Sequence, residues 1–270
     1  MGAKRLLPLY WLFPVVLVLL AHCGDGALQE SGEIIVGIYA DEGASPGCVG
    51  PAEKMFAWMG CTNVLLYADD VNERTLEKID IIYFPGGSSE PYSRKITEEG
   101  KENIRTFVRR GGGYIGTCAG GCFASDTVVW LGNSYPEGHL GLFRGYADGP
   151  INEIYPYPEH GMCEVNYTSP EHPITRGLGE TEWIYYWWGP KFVPYAGTDV
   201  AVIGTYEITG APALVAFEYG FGRVFLTGPH PEWEEDSDRD GYPPSEEHND
   251  RGSDWPLMRN ATLWCAKRMN

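Results

Sequence analysis

The residue whose type and spacing most directly suggest chemistry is a cysteine between glycines. The segment reads Gly116-Thr117-Cys118-Ala119-Gly120, after an apolar stretch and before a predicted helix. Flanking glycines allow a turn tight enough to push the central side chain out of a sheet, at the head of the next helix. The positive end of that helix favours thiolate over thiol. Cys118 is therefore predicted to be an attacking nucleophile.

A cysteine nucleophile needs a base, and the base needs a group that orients it. The sequence His230-Pro231-Glu232 follows a predicted late strand. With one residue between them, imidazole and carboxylate can share one side of an extended chain. We predict that His230 is the base and that Glu232 orients it.

The negative charge that develops on a substrate oxygen must be held by N–H donors. Gly86 and Gly87 end the third predicted strand and can expose their N–H groups, and Ala119 can supply another. All these residues follow strands, and open α/β sheets place their sites at the carboxyl ends of strands. The sequence thus predicts an oxyanion hole of Gly86, Gly87 and Ala119 beside Cys118.

Alternating strands and helices in the first half must position these residues. Strands are predicted at 33–40, 63–68, 81–84 and from 114, with helices at 51–59, 70–79, 97–110 and 122–131. This alternation predicts an α/β fold with a doubly wound, mostly parallel sheet and helices on both faces.

The second half is less regular. Strands are predicted at 162–167, 200–206, 213–219 and 223–227, and a closing helix at 255–269. Residues 132–160 and 232–254 are rich in turn-forming or acidic residues and are predicted to be loops.

Three motifs give the chain a family resemblance. Phe84-Pro85-Gly86-Gly87, the Cys118 segment and His230-Pro231-Glu232 have the order and spacing of the class I glutamine amidotransferase-like superfamily. Within it, the chain most resembles the N-terminal domain of the biotin-protein ligase family over roughly residues 33–265. Further motifs carry that likeness: Pro91-Tyr92, the run 104–120, Gly145 to Pro150, and Tyr185-Tyr186 with Gly189-Pro190. The resemblance implies a flavodoxin-like sheet and a Cys118–His230–Glu232 triad.

The first 27 residues have the layout of a signal peptide. Lys4 and Arg5 precede an apolar run that ends near Ala21 and is short for a membrane span. The sequence before Cys23 resembles a bacterial lipoprotein cleavage box, so lipid attachment at Cys23 and simple cleavage both stay open. We therefore expect an extracytoplasmic protein, secreted or lipid-anchored, with residues 28–270 as a single amidotransferase-like domain.

The net charge restricts which molecules the protein can bind. The formal net charge of −17 repels nucleic acid and anionic lipid, so the expected partner is a small-molecule or peptide substrate.

Of the seven cysteines, Cys48 and Cys61 form the most local disulfide option outside the cytoplasm. Cys122 lies one helical turn after Cys118 and could be an oxidation partner.

Aromatic residues could line a substrate pocket. Alternation along the 183–188 aromatic cluster puts Tyr186 and Trp188 on one face, and together with Tyr92 they are predicted to line the pocket. The alternative is ordinary core packing.

An acidic loop matches a calcium-binding pattern. Asp236, Asp238, Asp240 and Glu247 have the spacing of a twelve-residue calcium loop, although Pro243 and Pro244 interrupt it. The alternative is a solvated loop beside the site. No other cofactor is required by the predicted chemistry.

These features together predict an exported cysteine-dependent hydrolase of an amide or peptide bond. Two alternatives stay open. One is a non-catalytic ligand-binding module that uses the same cleft, and the other is a glutamine amidotransferase subunit.

Overall fold

A nine-stranded sheet with helices on both faces forms the centre of the fold. The computed structural model describes residue 2 and residues 32–73, 75–136, 138–234, 237–243 and 251–269. Residues 32–270 form one structural unit. The predicted signal peptide and Cys23 lie outside the described residues.

Five parallel strands make one half of this sheet, in the order β2-β1-β3-β4-β13. They are β1 (Ile35–Tyr39), β2 (Thr62–Leu66), β3 (Ile81–Phe84), β4 (Gly113–Thr117) and β13 (Gly222–Thr227). Every residue of β3 and β4 is buried, as expected for parallel strands covered on both faces. The predicted doubly wound α/β fold is confirmed in this half.

The helices divide between two hydrophobic clusters, one on each face of the sheet. They are α1 (Pro46–Trp58), α2 (Ala68–Asn72), α3 (Ser89–Lys95), α4 (Glu98–Arg109), α5 (Ala119–Ala124) and α6 (Trp255–Cys265). Helices α2, α3, α4 and α5 contribute to one cluster, whereas α1 and α6 contribute to the other. A short 3-10 turn, Thr75–Lys78, follows α2.

Local sequence fixes the start of α4. The Thr97 side chain accepts a hydrogen bond from Gly100 N at 3.1 Å, which satisfies one of the amide groups left over at a helix start. Two glutamates occupy the first turn, where their charge complements the helix dipole. This helix ends in the glycine-rich segment that leads into β4 and so to Cys118.

Four antiparallel strands extend the central sheet beyond β13, in the order β12-β11-β8-β9. They are β8 (Gly161–Tyr167), β9 (Thr181–Tyr186), β11 (Ala201–Tyr206) and β12 (Pro212–Tyr219). Between β12 and β13, Gly220 has a φ of 63° and makes the predicted hairpin turn.

A second, four-stranded sheet contradicts two sequence predictions. It contains β5 (Ser125–Trp130), β6 (Asn133–Tyr135), β7 (Phe143–Gly149) and β10 (Lys191–Pro194), in the order β10-β7-β5-β6. The predicted helix over 122–131 is wrong because α5 ends at Ala124. The β-branched residues that follow favour an extended chain and pair with β7. The predicted loop over 132–160 likewise contains β6 and β7.

Within the described part of the chain, no helix is both long enough and apolar enough to cross a membrane.

Candidate active site

The carboxyl ends of three neighbouring strands converge on one edge of the sheet. Strand β4 lies between β3 and β13 and is parallel to both. Gly86-Gly87 follows β3, Cys118 follows β4 and His230 follows β13. The predicted nucleophile, base and oxyanion-binding glycines are therefore brought together by strand order alone.

Cys118 has a strained backbone between its strand and its helix. Its φ of 49° and ψ of −107° lie in a region that non-glycine residues rarely adopt. The Cys118 N–H donates to Thr227 O at 2.8 Å, and the Cys118 carbonyl accepts from Cys122 N at 3.0 Å. These bonds to β13 and to α5 hold the turn in place.

The flanking glycines are required by space. A Cβ on Gly116 would lie 2.7 Å from the carbonyl carbon of Gly120, and one on Gly120 would lie 2.0 Å from Phe84 O. The turn therefore packs backbone directly against backbone. This contact accounts for the Gly-x-Cys-x-Gly pattern seen in the sequence.

His230 and Glu232 form a buried pair. Nδ1 of His230 lies 2.9 Å from Oε1 of Glu232, and the two residues are 2 % and 0 % exposed. Burial by itself lowers the pKa of His230, but the Glu232 carboxylate and then the Cys118 thiol outweigh burial and raise that pKa well above its usual range. A charged imidazolium is thus favoured next to Cys118.

The Cys118 thiol and the other imidazole nitrogen face a common space. His230 Nε2 is buried and makes no hydrogen bond of normal geometry with the described residues. The Cys118 thiol lies 3.7 Å from the carbonyl oxygen of Trp187 and is close enough to His230 to affect its pKa. Nε2 is consequently the atom that can exchange a proton with the thiol.

Two of the three residues predicted for the oxyanion hole line the cleft. Gly87, with a φ of 143°, and Ala119 both lie on its wall beside Cys118. Ala119 is the first residue of α5, so its N–H has no acceptor within the helix. Gly86 does not line the cleft and packs against His230, since a Cβ on Gly86 would lie 2.3 Å from Cε1 of that residue. The Gly86 carbonyl accepts a hydrogen bond from Ser45 N.

The cleft in front of Cys118 has a volume of about 500 Å³ and aromatic walls. Trp130, Trp187 and Trp188 contribute indole rings to it, and His139 and Glu90 contribute polar groups. Of the residues predicted for the pocket, only Trp188 lies on this wall.

Tyr92 and Tyr186 belong to the core instead, which corrects the prediction. The Tyr92 hydroxyl donates to Pro85 O at 3.0 Å, and its ring packs edge-on against Phe84. The Tyr186 hydroxyl accepts from Ile151 N and donates to Gly189 O. Alternation fails after Tyr186 because β9 ends there, and Trp188 has a φ of 59°.

Sequence reasoning also missed Cys48, which lies beside the base. Its Sγ is 3.8 Å from Nδ1 of His230, and burial raises the pKa of its thiol. One donor atom from each of Cys48, His230 and Glu232 lies within 4.8 Å of the others, a spacing that a metal ion could bridge. Nδ1 and Oε1 of the pair already share a hydrogen bond, however. Cys48 is in α1, far along the chain from His230, and no motif links the two.

The cysteines form no disulfide among the described residues. Cys48, Cys61, Cys118, Cys122, Cys163 and Cys265 are all free. The Cys48–Cys61 pairing is therefore wrong for this structure, because Cys48 faces His230 from the first turn of α1 whereas Cys61 follows the end of that helix. Cys122 lies on the cleft wall near Cys118 without a bond between them.

Comparison with known families fits this geometry. The family model described as "Biotin-protein ligase, N terminal" matches residues 35–253. The chain belongs to this family. A biotin–protein ligase from Schizosaccharomyces pombe is 30% identical over 219 residues, which cover 73% of this chain and 33% of the ligase. The chain thus spans about a third of the length of that relative.

Solved structures with a fold similar to that of this family member include a glutamine amidotransferase. PurLQS from Thermotoga maritima gives a TM-score of 0.61 with 18% identity, over 86% of this chain and 99% of that one. A glutamine amidotransferase from the same organism gives a TM-score of 0.58 with 14% identity, over 87% and 99%. The fold is therefore that of a class I glutamine amidotransferase-like domain.

The predicted calcium loop of this family member is only partly described. Asp236 and Glu247 lie outside the described residues. The Asp240 carboxylate is buried and accepts hydrogen bonds from the backbone N–H groups of Glu234 and Tyr242. Asp240 thus holds a turn, and calcium binding with Asp238 stays a prediction.

Proposed function

We propose that the protein is an exported cysteine-dependent hydrolase that cleaves an amide or peptide bond. The observation that carries the proposal is the strained Cys118 turn placed next to His230, whose other nitrogen is bound by the buried Glu232. A non-glycine residue held at positive φ is often found at a functional site. The base is bound to its orienting carboxylate, and the nucleophile lies close enough to the base to raise its pKa, an arrangement that such catalysis uses.

In the first half-reaction, His230 Nε2 takes the proton of the Cys118 thiol, and the thiolate attacks the carbonyl carbon of the amide. The N–H groups of Gly87 and Ala119 hold the negative oxygen of the tetrahedral intermediate. His230 then gives the proton to the departing nitrogen, and a thioester on Cys118 remains. Glu232 keeps the imidazolium charged and oriented during this step.

In the second half-reaction, His230 takes a proton from water, which attacks the thioester. The acid product leaves, and the proton returns to the Cys118 sulfur. Proton transfer by a positioned histidine contributes roughly 10²- to 10⁴-fold to such a rate.

A binding module without turnover is the second candidate. It is favoured by the hydrogen bond from Cys118 Sγ to Trp187 O, which directs the thiol proton away from His230 Nε2. This candidate predicts ligand binding that survives Cys118→Ala. An amidotransferase subunit, the third candidate, predicts glutaminase activity that rises when a partner is added.

The test is pH-dependent alkylation of the purified protein with iodoacetamide, with each modified cysteine located by mass spectrometry. We expect Cys118 to react fast near neutral pH and at least about tenfold more slowly in His230→Ala. His172→Ala is the matched control, because the His172 ring packs against Trp264 of α6 and does not line the cleft. An inert Cys118, or one found bonded to Cys122, would remove the hydrolase proposal in favour of the binding module.

The exported location is a separate part of the proposal and rests on the signal-like residues 1–27. The intact mass of the protein recovered from outside the cytoplasm tests it. Loss of the leader supports export, and a further gain of diacylglyceryl mass on Cys23 supports a lipid anchor. An uncleaved chain confined to the cytoplasm contradicts both.

A further inference from the structure

The charge of the cleft next to Cys118 limits which amides it can accept. Its only charged wall residue among those described is Glu90, an exposed residue at the start of α3, and no lysine or arginine lines it. Lys101 lies near His139, but it is buried and its Nζ is 2.6 Å from Oε1 of Glu98. Among the described wall residues, the cleft therefore carries one negative charge and neither lysine nor arginine, and the cationic group beside Cys118, the His230 imidazolium, is already bound to Glu232.

A free amino acid such as glutamine fits this wall poorly. Its α-carboxylate would leave water without a cationic partner, which is costly, and would lie near the like charge of Glu90. The net charge of −17 adds to that repulsion. Cations and neutral groups meet no such penalty.

Two residues that line the cleft carry neutral polar atoms suited to a neutral ligand group. Nε1 of Trp187 and Nδ1 of His139 are buried and have no hydrogen-bond partner among the described residues. Burial, aided by the charge of Lys101, lowers the pKa of His139 to about 4, so its ring is neutral at pH 7. Buried polar atoms without partners are rare, and here two of them belong to residues that line one cleft.

The indole rings of the cleft provide apolar aromatic faces. Trp188 is held by hydrogen bonds from its Nε1 to Pro158 O and Glu159 O, at 3.1 Å and 3.2 Å. Its ring also packs against Tyr157, which contacts Trp130 in turn. Rigid aromatic walls bind rings by stacking and cations through their faces.

We propose that the cleft takes an amide that carries an aromatic ring, bears a neutral or cationic group, and has no free carboxylate. This inference rests on the proposed hydrolase function. The ring stacks on Trp188 and Trp130, a cationic group lies toward Glu90, and the scissile carbonyl lies against Gly87 and Ala119.

The test uses four glutamine-containing probes with the purified full chain: glutamine, phenylalanyl-glutamine, its methyl ester, and alanyl-glutamine methyl ester. Protection of Cys118 from iodoacetamide reports binding. Ammonia release and product masses report turnover. We expect the phenylalanyl methyl ester to protect at a concentration at least about tenfold lower than each of the other three probes.

Variants assign the preference to named residues. Trp188→Ala should remove most of the advantage of the phenylalanyl over the alanyl ester. Glu90→Lys should reduce discrimination against the free carboxylate by about two- to fivefold, as expected for one exposed charge. The controls are Phe221→Ala, a 79 % exposed ring in the β12–β13 turn, and Glu207→Lys, an exposed residue after β11.

The two proposals fail differently. Turnover of glutamine or phenylalanyl-glutamine at least as fast as that of the methyl ester overturns the substrate class and leaves the hydrolase standing. Preferential protection by the phenylalanyl ester without any product supports the ligand class and removes the hydrolase. Equal protection by all four probes overturns the substrate class.

Discussion

Nδ1 of His230 is bound to Oε1 of Glu232 at 2.9 Å inside the protein, with both side chains almost wholly removed from solvent. A carboxylate in this position orients the imidazole and favours its charged form. The pair therefore determines how His230 presents Nε2 to Cys118.

Replacing the carboxylate tests this role. Glu232→Gln should lower the pKa of His230 and reduce amide turnover by about 10²-fold or more, because the imidazolium loses its charged partner. Histidine NMR titration and steady-state kinetics measure the two effects. Glu207→Gln, an exposed acid remote from the site, serves as control. An unchanged pKa for His230 in Glu232→Gln would contradict the assignment.

The same pair predicts a pH dependence of stability. The pKa of His230 is raised in the folded state. Its stabilising contribution to the free energy of unfolding is therefore fully present below the pKa of about 6.5 that the histidine has in the unfolded chain. That contribution is lost as the pH rises through the elevated folded-state pKa. The free energy of unfolding, measured in urea between pH 6 and 10, should therefore fall more steeply in wild type than in Glu232→Gln. Parallel curves for the two proteins would refute this linkage.

The cysteines should differ in reactivity according to burial. Burial raises the pKa of the Cys48, Cys163 and Cys265 thiols, and burial with nearby acids raises the pKa of Cys61 to about 11. At pH 7.5 we expect Cys118 to be alkylated at least about tenfold faster than these four. Mass mapping of wild type and Cys48→Ala checks the order. Faster labelling of Cys48 than of Cys118 would make Cys48 the reactive thiol of the site.

Gly87 should tolerate no side chain. An added Cβ would lie 2.0 Å from Gly43 O, and the residue already has a φ of 143°. We expect Gly87→Ala to cost more than about 2 kcal/mol of unfolding free energy, because strain and collision add. Gly177→Ala separates the two effects, since Gly177 has a φ of 81° but open space around it, and should cost about 1 kcal/mol. Equal losses in urea denaturation would argue against the collision.

The sequence predicts local structure correctly where a single short-range pattern, such as an apolar run or a pair of glycines, determines it. The continuous apolar run of β3 and the glycines around Cys118 allow only a narrow choice of structure, and the sequence predicts both the strand and the turn. The segment Ser125–Trp130 was mistaken for helix because its apolar residues fit either period, and only pairing with β7 decides between them.

The sequence predicts those site residues that lie in local motifs and misses those that reach the site through tertiary packing. Cys118, His230 and Glu232 lie in recognisable local motifs, whereas Cys48 and Trp187 reach the site through tertiary packing. Trp188 turns toward the cleft through a positive φ that no propensity indicates for tryptophan. Tyr92 and Tyr186 look like pocket residues in the sequence, but their hydroxyls find backbone partners inside the core.

The pairing of β4 with β13 also sets when reactivity can arise. Cys118 follows β4, but the strand that delivers His230 is the last of the sheet, and the Cys118 turn itself is bonded to Thr227 of that strand. A chain in which β13 has not yet paired holds a thiol with no base and a turn with no anchor. The paired nucleophile and base are therefore assembled only when β13, the last strand of the chain, takes its place between β4 and β12.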